Sequence, residues 1–274
     1  MQHKSFLKWA GGKSQLVDKI ISLMPLNRRK RYLEPFVGSG VVALNVPDDF
    51  QEIIISDTNS DLIGIWDNLK NHRNTFISTC RGYFNSCYNN EEWYYKFRKL
   101  FNESKHDHIR TSLFLYLNRH CFNGLCRFNS KGEFNVPFGR YKTIYFPEKE
   151  LRHAAEVSKK MKIFCNDFQS IMRMAQPGDV FYLDPPYIPI SKTSGFTTYS
   201  TNGFTADEHI ILVQNAELAQ QKGATVIISN NDVPVARKLY ADATEIHFVP
   251  VRKSIGAAAG TRKKLQEIIA VYRP

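Results

Sequence analysis

The sequence predicts an α/β protein with a doubly wound, mostly parallel sheet of seven strands. The first observation is a set of seven β-rich runs, several almost wholly apolar, as is typical of parallel strands covered on both faces. The second is that helical patterns separate many of these runs. A third feature, the stretch at residues 62–150, breaks the alternation and predicts an inserted, mainly helical domain. The predicted strands are RYLEPF, EIIISD, KIFCND, VFYLDPPY, TVIISNN, EIHFVPV and EIIAVYR.

The inserted segment is rich in Tyr, Phe, Asn, Arg and Lys. It contains the helix-like pieces WYYKFRKLFNESK and TSLFLYLNRH, and it ends in CRFNSKGEFNV, where NSKGE is typical of a hairpin turn. We therefore predict one domain from residues 1–61 plus 151–274, and a second from residues 62–150 that carries a β-hairpin.

The clearest predicted helix is FTADEHIILVQNAELAQQKG. Thr205 and Glu208 have the spacing of a capping box, and Gly223 is placed to end the helix.

The overall composition predicts a soluble, cytoplasmic protein. The chain of 274 residues is 43% hydrophobic, yet no window approaches the roughly 18 apolar residues that a membrane span needs. The start, MQHKSFLKWAGGK, lacks the apolar core of a signal peptide. We expect no membrane partner.

The cysteines favour reduced, structural thiols, with a disulfide or a zinc site as the alternative. They form no C-x-x-C pair, and the eight histidines do not cluster with them, so we predict no metal. The five are Cys80, Cys87, Cys121, Cys126 and Cys165.

The charge balance is more informative. A net charge of +11 and a pI of about 9.4 attract polyanions, of which nucleic acid is the commonest in a cytosol. A solvated basic surface without a partner is the alternative.

A glycine pair follows the first predicted strand in LEPFVGSGVV and precedes a predicted helix. Gly38 and Gly40 let the backbone approach a ligand closely, and Asp57 ends the next strand about 20 residues later, where nucleotide-binding sheets hold a ribose hydroxyl. The third glycine of G-x-G-x-x-G is missing, which disfavours NAD. A plain tight turn remains the alternative.

A second glycine pair lies in FLKWAGGKSQL. The phosphate-loop pattern needs glycine where Leu7 stands, which argues against a nucleoside triphosphatase. Trp9 and Lys13 flank the pair and can meet the aromatic ring and the carboxylate of a small ligand. A structural turn is the alternative.

The fourth predicted strand runs into Asp184, Pro185, Pro186 and Tyr187. Parallel sheets bind ligands at the carboxyl ends of their strands, so Asp184 lies where chemistry is expected. Suppose that the substrate is a nucleobase with an exocyclic amine, which is a poor nucleophile because its lone pair is delocalised into the ring. The Asp184 carboxylate and the Pro185 carbonyl can accept its two N–H groups, while the prolines make the corner rigid and remove donors. Tyr187 can stack on the base or face a cation. A purely structural turn is the alternative.

Two further segments have open interpretations. PISKTSGFTTYSTNG is poor in core residues and is either an ordinary surface loop or, by the resemblance described next, a loop that closes over a flipped base. VRKSIGAAAGTRKKL is either a solvated basic loop or a phosphate contact that positions DNA. Its basic residues are Arg252, Lys253, Arg262, Lys263 and Lys264.

Across nearly the whole chain, the motifs FLKWAGGK, EPFVGSG, ISDTNSDL, LNRHCFNGLCRFNSKGEFNVPFGRYK, DPPY and GTRKK resemble those of the DNA adenine methyltransferase (Dam) family, in family order. The resemblance implies a Rossmann-like methyltransferase of the α type, S-adenosylmethionine as cofactor, double-stranded DNA as substrate and adenine in GATC as target. We expect a monomer encoded by a bacterium or a phage.

The resemblance also implies roles for single residues. Asp57 holds the cofactor ribose, Gly38 and Gly40 make room for its methionine part, and Asp167 and Phe168 flank its adenine. Asp184 contacts both the cofactor and the target amine, within a catalytic corner of Asp184, Pro185, Pro186 and Tyr187. The implied cofactor residues are Trp9, Lys13, Glu34, Pro35, Phe36, Gly38, Gly40, Asp57, Asp167, Phe168 and Asp184.

The family's target-recognition hairpin corresponds to residues 123–142. By this resemblance Leu125, Arg127 and Pro137 read base edges, Lys8 reads an outer guanine and Tyr141 inserts where adenine leaves the stack. Guanine's two major-groove acceptors suit an arginine fork, and the thymine methyl suits Leu or Pro. Phe122 stands where some relatives have tyrosine. The implied DNA-binding residues are Lys8, Asn123, Leu125, Arg127, Asn135, Pro137, Arg140, Tyr141, Lys142, Arg252, Arg262, Lys263 and Lys264.

The sequence thus predicts methyl transfer from S-adenosylmethionine to the adenine amine by an in-line displacement, without a metal or a covalent intermediate. Two alternatives remain. One is an amino-methyltransferase that acts on RNA or on a protein amide, against which the long basic hairpin region argues. The other is a DNA-binding relative without catalysis, against which the intact DPPY and glycine loop argue.

Overall fold

The computed structural model describes residues 2–9, 11–25, 30–190, 204–251 and 265–274. All seven predicted strands are confirmed, and they form one sheet in the order β3-β2-β1-β4-β5-β7-β6. The strands are β1 (Arg31–Glu34), β2 (Glu52–Ser56), β3 (Met161–Phe164), β4 (Val180–Leu183), β5 (Thr225–Asn231), β6 (Glu245–Val251) and β7 (Leu265–Tyr272).

The register of the central strands places the site. Strand β1 pairs in parallel with β2 and with β4, and β4 pairs in parallel with β5. Strand β7 is antiparallel to both β5 and β6, so the sheet is mostly parallel but mixed at one end. The chain leaves β1 for β2 and later returns to β4 on the other side of β1. This reversal of strand order creates the crevice in which open α/β sheets bind ligands.

The helices of the described residues are α1 (Val17–Ser22), α2 (Ser60–Asn71), α3 (Arg73–Tyr83), α4 (Glu91–Glu103), α5 (Asp107–His120), α6 (Glu148–Ser158), α7 (Phe168–Met172), α8 (Ala206–Gln221) and α9 (Pro234–Leu239). The prediction for α8 is confirmed in detail, because Thr205 and Glu208 form a capping box and Gly223, at φ 88°, follows its end.

The chain forms two compact units. Unit 1 comprises Met1–Ser14, Gly38–Asn45 and Asn59–Cys165, and unit 2 comprises Gln15–Val37, Val46–Thr58 and Asn166–Pro274. The predicted target-recognition segment, residues 62–150, lies within unit 1; its assignment as a domain that recognises DNA remains a prediction.

Unit 1 is built on helices with aromatic faces. The central helix α5 buries nine residues, and α4 packs against it through Tyr94, Phe97 and Phe101. Asn59 and Asn90 cap α2 and α4 through their side chains. The predicted hairpin turn is confirmed, since Asn129 N donates to Glu133 O at 2.9 Å. Its arms meet at isolated bridges, Phe128 with Phe134 and Cys121 with Phe138, and not as long strands.

One predicted element is wrong. Instead of a helix after the glycine pair, the chain makes a single turn in which Leu44 N donates to Gly40 O at 2.9 Å. Pro47 disfavours the helical conformation of the residue before it. The Asn45 side chain is also engaged, because it accepts from His3 N at 2.7 Å and donates to His3 O at 2.8 Å. The chain therefore does not continue as a helix beyond this turn.

Candidate active site

The DPPY corner follows β4 directly, in unit 2. Asp184 is half-buried and Pro185 is buried, at the carboxyl end of a strand whose four residues are all buried. The Ser229 hydroxyl donates to Asp184 Oδ1 at 3.1 Å. The predicted catalytic carboxylate therefore lies at the expected edge of the sheet, beside the end of β5.

The next two residues of β5 hold the backbone of Ile188, the residue that follows the corner. The Ile188 N–H donates to Asn230 Oδ1 at 2.9 Å, and Asn231 Nδ2 donates to the Ile188 carbonyl at 2.7 Å. Asn230 is itself oriented by the Tyr240 hydroxyl, which accepts from Nδ2 at 3.0 Å. Three consecutive residues, Ser229 to Asn231, thus hold the corner. The sequence reasoning missed them, although a polar S-N-N ending an apolar strand was the available signal.

Tyr187 ties the other side of the corner to β7. Its hydroxyl donates to Glu267 Oε2 at 2.6 Å. Burial, and then the charge of Asp184, raise the pKa of Tyr187 well above its usual value, so the phenol stays protonated. The stacking role predicted for its ring remains a prediction.

Further predicted acids and aromatic residues occupy the same carboxyl edge in unit 2. Glu34, at the end of β1, is 2% exposed and accepts from the Tyr32 hydroxyl at 2.7 Å. Asp57, just after β2, is half-buried. Phe36 and Phe168 stack with ring centroids 5.4 Å apart, and Phe204 packs against both rings.

Ser56 joins the loops that carry these residues, and it too was missed. Its carbonyl accepts from Val37 N at 2.9 Å, and its buried hydroxyl donates to Asn166 O at 2.9 Å. Ser56, which precedes Asp57, is therefore bonded to the segment after β1 through its carbonyl. Through its hydroxyl it is bonded to Asn166, which precedes Asp167. Asp167 itself caps α7, accepting from Ser170 N at 2.8 Å, and this bond lowers its pKa.

The residues of this edge fit a cationic, nucleoside-like ligand. Carboxylates accept from ribose hydroxyls and attract a positive charge, and stacked phenylalanines offer a surface for a purine. Glu34, Asp57 and Asp184 supply the first property, and Phe36 and Phe168 the second.

In unit 1, Gly38 is in close contact with Trp9, and Gly40 with Trp66. A Cβ on Gly38 would lie 2.8 Å from Trp9 Nε1, and one on Gly40 would lie 2.2 Å from Trp66 Cζ2. Both glycines have positive φ, so the turn requires them for conformation as well as for packing. Lys13 is buried and its ammonium donates to the Gly11 carbonyl. The cofactor roles implied for these residues remain predictions.

The predicted base-reading residues line the hairpin region of unit 1. Arg127 is exposed, and Asn135 accepts from its Nε at 2.7 Å through Oδ1. Lys8 lies over the ring of Tyr141, with Nζ 3.8 Å from the centroid. Burial and the charge of Arg119 lower the pKa of Lys8. The Tyr141 hydroxyl accepts from Asn123 N at 2.9 Å.

The remaining predicted DNA contacts are less constrained or not described. Pro137 and Lys142 are exposed, and Leu125 is half-buried. Arg140 is exposed, has φ 52° and forms an ion pair with Glu91 at 3.2 Å. Arg252, Arg262, Lys263 and Lys264, and the segment predicted as a lid, fall outside the described residues.

Two features are absent from the described part of the chain. It contains no helix with the length and apolarity that crossing a membrane requires. It also contains no group of three or more His, Cys, Asp or Glu side chains arranged to hold a metal ion.

The strand order, with β7 antiparallel between β5 and β6, and the acid-Pro-Pro-Tyr corner at the carboxyl edge define a Rossmann-like methyltransferase. The chain belongs to the D12 class N6 adenine-specific DNA methyltransferase family, whose model matches residues 9–255. It is therefore an enzyme that methylates adenine in DNA.

Similar proteins include DNA adenine methylases from several bacteria. The chain is 44% identical over 273 residues to that of Escherichia coli (strain K12), covering 100% of this chain and 96% of the relative. It is 43% identical to that of Salmonella typhimurium (strain LT2), with the same coverage. It is 41% identical over 274 residues to one from Vibrio cholerae serotype O1, covering 100% and 97%.

Solved structures match more distantly. Precorrin 8W decarboxylase from Methanobacterium thermoautotrophicum is 9% identical with a TM-score of 0.42, covering 94% of this chain and 89% of that chain. This degree of similarity supports no inference about function.

Proposed function

We propose that the enzyme transfers a methyl group from S-adenosylmethionine to the exocyclic amino nitrogen of adenine in double-stranded GATC. The observation that carries this proposal is the DPPY corner at the ligand-binding edge of the sheet, where Ser229 donates to the Asp184 carboxylate and Asn230 and Asn231 hold the backbone of Ile188 just after the corner. Such a corner presents acceptors to an amine that must lose its conjugation with the ring before it can attack.

The chemistry follows from this arrangement. Asp184 and the Pro185 carbonyl accept the two N–H groups of adenine, which favours a tetrahedral nitrogen with a localised lone pair. The nitrogen so oriented would form its bond to a sulfonium methyl group in line with the breaking C–S bond, and the sulfur would leave as a neutral thioether. The methylated nitrogen is cationic and loses a proton readily, so Asp184 need not be a strong base. Rate enhancement rests on positioning and on polarisation by preorganised groups.

The cofactor assignment rests on the family and on the fit of the carboxyl edge. When bound, S-adenosylmethionine supplies an electrophilic methyl group on a sulfonium. Glu34 and Asp57 would bind its hydroxyl or ammonium groups, and Phe36 and Phe168 its adenine. The other proposed cofactor residues are Trp9, Lys13, Pro35, Gly38, Gly40 and Asp167.

The proposed substrate is duplex DNA. A base inside a duplex cannot be methylated and must leave the stack, at a cost of roughly a few kcal/mol. Tyr141 would fill the vacated space, and Arg127 would read a guanine through its fork. The bond from Arg127 Nε to Asn135 supports this role, because it fixes the direction of the guanidinium. We further propose that the enzyme acts as a monomer in the cytoplasm of a bacterial host.

The test is methyl transfer from labelled S-adenosylmethionine to matched duplexes. One duplex carries GATC, one carries GATC with N6-methyladenine on both strands, and four carry a single-base change in the site. An RNA duplex that carries GAUC serves as the control for the alternative substrate. We expect label on adenine of the unmethylated GATC DNA alone. Transfer to the RNA, or equal transfer to the variant duplexes, would contradict the proposed substrate.

A further inference from the structure

A set of buried polar side chains lies below the catalytic carboxylate, on one face of the sheet in unit 2. The register pairs Tyr182 with Ile227 and Leu183 with Ile228, so Asp184 comes next to Ser229 as the two parallel strands continue. Side chains alternate between the faces of a strand, so Tyr182 and Asp184 share a face. The proposed function uses the Ser229 bond to Asp184 only as a support of the corner, and it assigns no part in methyl transfer to the Ser229 hydroxyl or to Tyr182.

The three side chains form a continuous chain of hydrogen bonds. The Tyr182 hydroxyl lies 2.9 Å from Ser229 Oγ, and Ser229 Oγ lies 3.1 Å from Asp184 Oδ1. Tyr182 and Ser229 are both 0% exposed. The protein therefore places two hydroxyls out of contact with solvent and in series with its catalytic acid.

The direction of the chain follows from the chemistry of its members. An ionised carboxylate only accepts, so the single proton of Ser229 points to Asp184. The Tyr182 hydroxyl must then donate to Ser229. Burial, followed by the charge of Asp184, raises the pKa of Tyr182 well above its usual value, which keeps this donor protonated. Each hydroxyl in the chain is thus a donor to the next group.

Such a chain controls orientation. The terminal torsion of an aspartate is broad, so the carboxylate plane is not defined by its rotamer alone. A donor fixed on Oδ1 defines that plane and with it the directions in which the second oxygen accepts. Donation from Tyr182 polarises the Ser229 hydroxyl, and hydrogen bonds to a charged acceptor away from water are the stronger ones. Asn230 and Asn231 act differently, because they hold the backbone of Ile188 just after the corner.

We propose that Tyr182 and Ser229 are positioning residues for methyl transfer, which hold the Asp184 carboxylate in the plane that receives the adenine amine. Tyr182 acts through Ser229, and Ser229 acts directly on Asp184. This inference rests on the proposed function, in which Asp184 accepts from that amine.

The experiment is a double-mutant cycle on the full chain. The variants are Ser229→Ala, Tyr182→Phe and the pair, and Ser229→Thr keeps the hydroxyl. Tyr272→Phe is the matched control. It removes the hydroxyl of a buried tyrosine of the same unit, and this hydroxyl has no hydrogen-bond partner among the described residues. The single-turnover rate with saturating S-adenosylmethionine, the affinities for cofactor and for GATC duplex, and the unfolding midpoint are measured for each.

We expect Ser229→Ala to lower the single-turnover rate roughly 10- to 100-fold, as loss of a hydrogen bond to a charged group does, with affinities within about twofold of the original. Tyr182→Phe should lower it less, and adding Tyr182→Phe to Ser229→Ala should change nothing further, because its path to Asp184 is already cut. Ser229→Thr should recover much of the rate, and Tyr272→Phe should match the original protein.

The outcomes separate the two claims. An original protein that transfers no methyl group to adenine overturns the proposed function and the inference with it. Normal transfer by both the original protein and Ser229→Ala overturns the inference alone. Additive losses in the pair show that Tyr182 does not act through Ser229, and a lower cofactor or DNA affinity in place of a lower rate shows that neither residue positions Asp184.

Discussion

At the scale of single residues, two of the side chains proposed to contact the substrate are each held by a neighbour. Ser229 holds Asp184 by its carboxylate, and Asn135 holds Arg127 by its Nε. A flexible side chain loses rotamer entropy when it is fixed on a ligand, and a neighbour that fixes it beforehand reduces that loss on binding. A substitution of the held residue therefore tests its contact with the substrate, and a substitution of the neighbour tests whether that contact depends on a side chain fixed beforehand.

Asp184→Ala should abolish most methyl transfer and leave the fold intact. The half-buried carboxylate stands at the end of a strand, so its loss opens little core. Loss of one preorganised group typically lowers a rate ~10²–10³-fold, about 3–4 kcal/mol, and a cofactor contact would add to this. Single-turnover methylation and duplex affinity, measured on one sample, test the prediction, and Asp184→Asn keeps one acceptor as the control. Near-normal turnover in Asp184→Ala would show that the corner is only a turn.

Arg127→Ala should relax recognition of one guanine. A bidentate arginine–guanine contact contributes about 1–3 kcal/mol of discrimination, so the rates on GATC and on the variant at that position should converge. Lys131→Ala, an exposed change in the turn of the same hairpin, is the control. The measurement is the ratio of methylation rates on the four single-base variants. An unchanged ratio at every position would remove Arg127 from base reading.

At the scale of elements, α5 contains a titratable group in its buried last turn. His120 is 1% exposed, stacks on Tyr116 with centroids 3.8 Å apart and donates through Nδ1 to the Tyr116 carbonyl at 2.8 Å. Burial lowers its pKa to about 4 from the usual 6.5. The folded state therefore holds this imidazole neutral at pH values where the unfolded chain protonates it.

The stability of the protein should consequently fall as the pH drops from 6.5 towards 4. Between pH 7 and 5 the His120 contribution to the free energy of unfolding should decrease by about 2 kcal/mol, because the unfolded state takes up a proton that the folded state excludes. Urea unfolding at both pH values measures the effect. His120→Gln should lose less stability over this range than the original protein, and exposed His106→Gln should lose as much. Equal losses in His120→Gln and the original protein would refute the assignment.

The local sequence pattern was enough to predict where the strands lie. It was not enough to predict which side chains of one strand contact the next strand in the sheet. An apolar run that ends in Asp184 predicts both a buried strand and its carboxyl end, where parallel sheets bind ligands. Asp184 could therefore be predicted as a candidate site residue from the sequence. The roles of Ser229, Asn230 and Asn231 depend on β5 lying beside β4, a pairing between segments more than 40 residues apart in the numbering. Ser56 was missed for the same reason. The helix predicted after Gly40 does not form, because Pro47 disfavours helical backbone in the residue before it and the Asn45 side chain bonds to the distant backbone of His3.

At the scale of the whole molecule, charge is the feature with a measurable consequence. The formal net charge of +11 implies a surface that neutralises phosphates. Phosphate contacts release counterions from DNA, and the logarithm of the observed affinity then falls linearly with the logarithm of salt concentration. This contribution does not depend on base sequence, in contrast to that of Arg127.

Replacing Lys263 and Lys264 with Ala should weaken binding to all duplexes similarly. The prediction rests on the sequence alone, since both residues fall outside the described part of the chain. Each lost phosphate contact should reduce the salt slope by about 0.9. Titrations of GATC and random duplexes at several salt concentrations measure both quantities. A loss confined to GATC, or an unchanged slope, would argue against phosphate contacts.

The position of β6 as the last strand of the sheet bears on how the protein behaves at high concentration. An outer strand offers backbone groups to any extended chain that meets it, which is a route to aggregation. Here β6 carries Pro250, opposite Gln266, with Glu245 at its start, and Arg237 covers the exposed ring of Phe248 at 4.8 Å. Within sheets proline is confined to edge strands, strand starts and bulges, because it has no backbone N–H to donate. An incoming strand would therefore meet an interrupted ladder and fixed charges, which disfavours edge-to-edge association of two molecules.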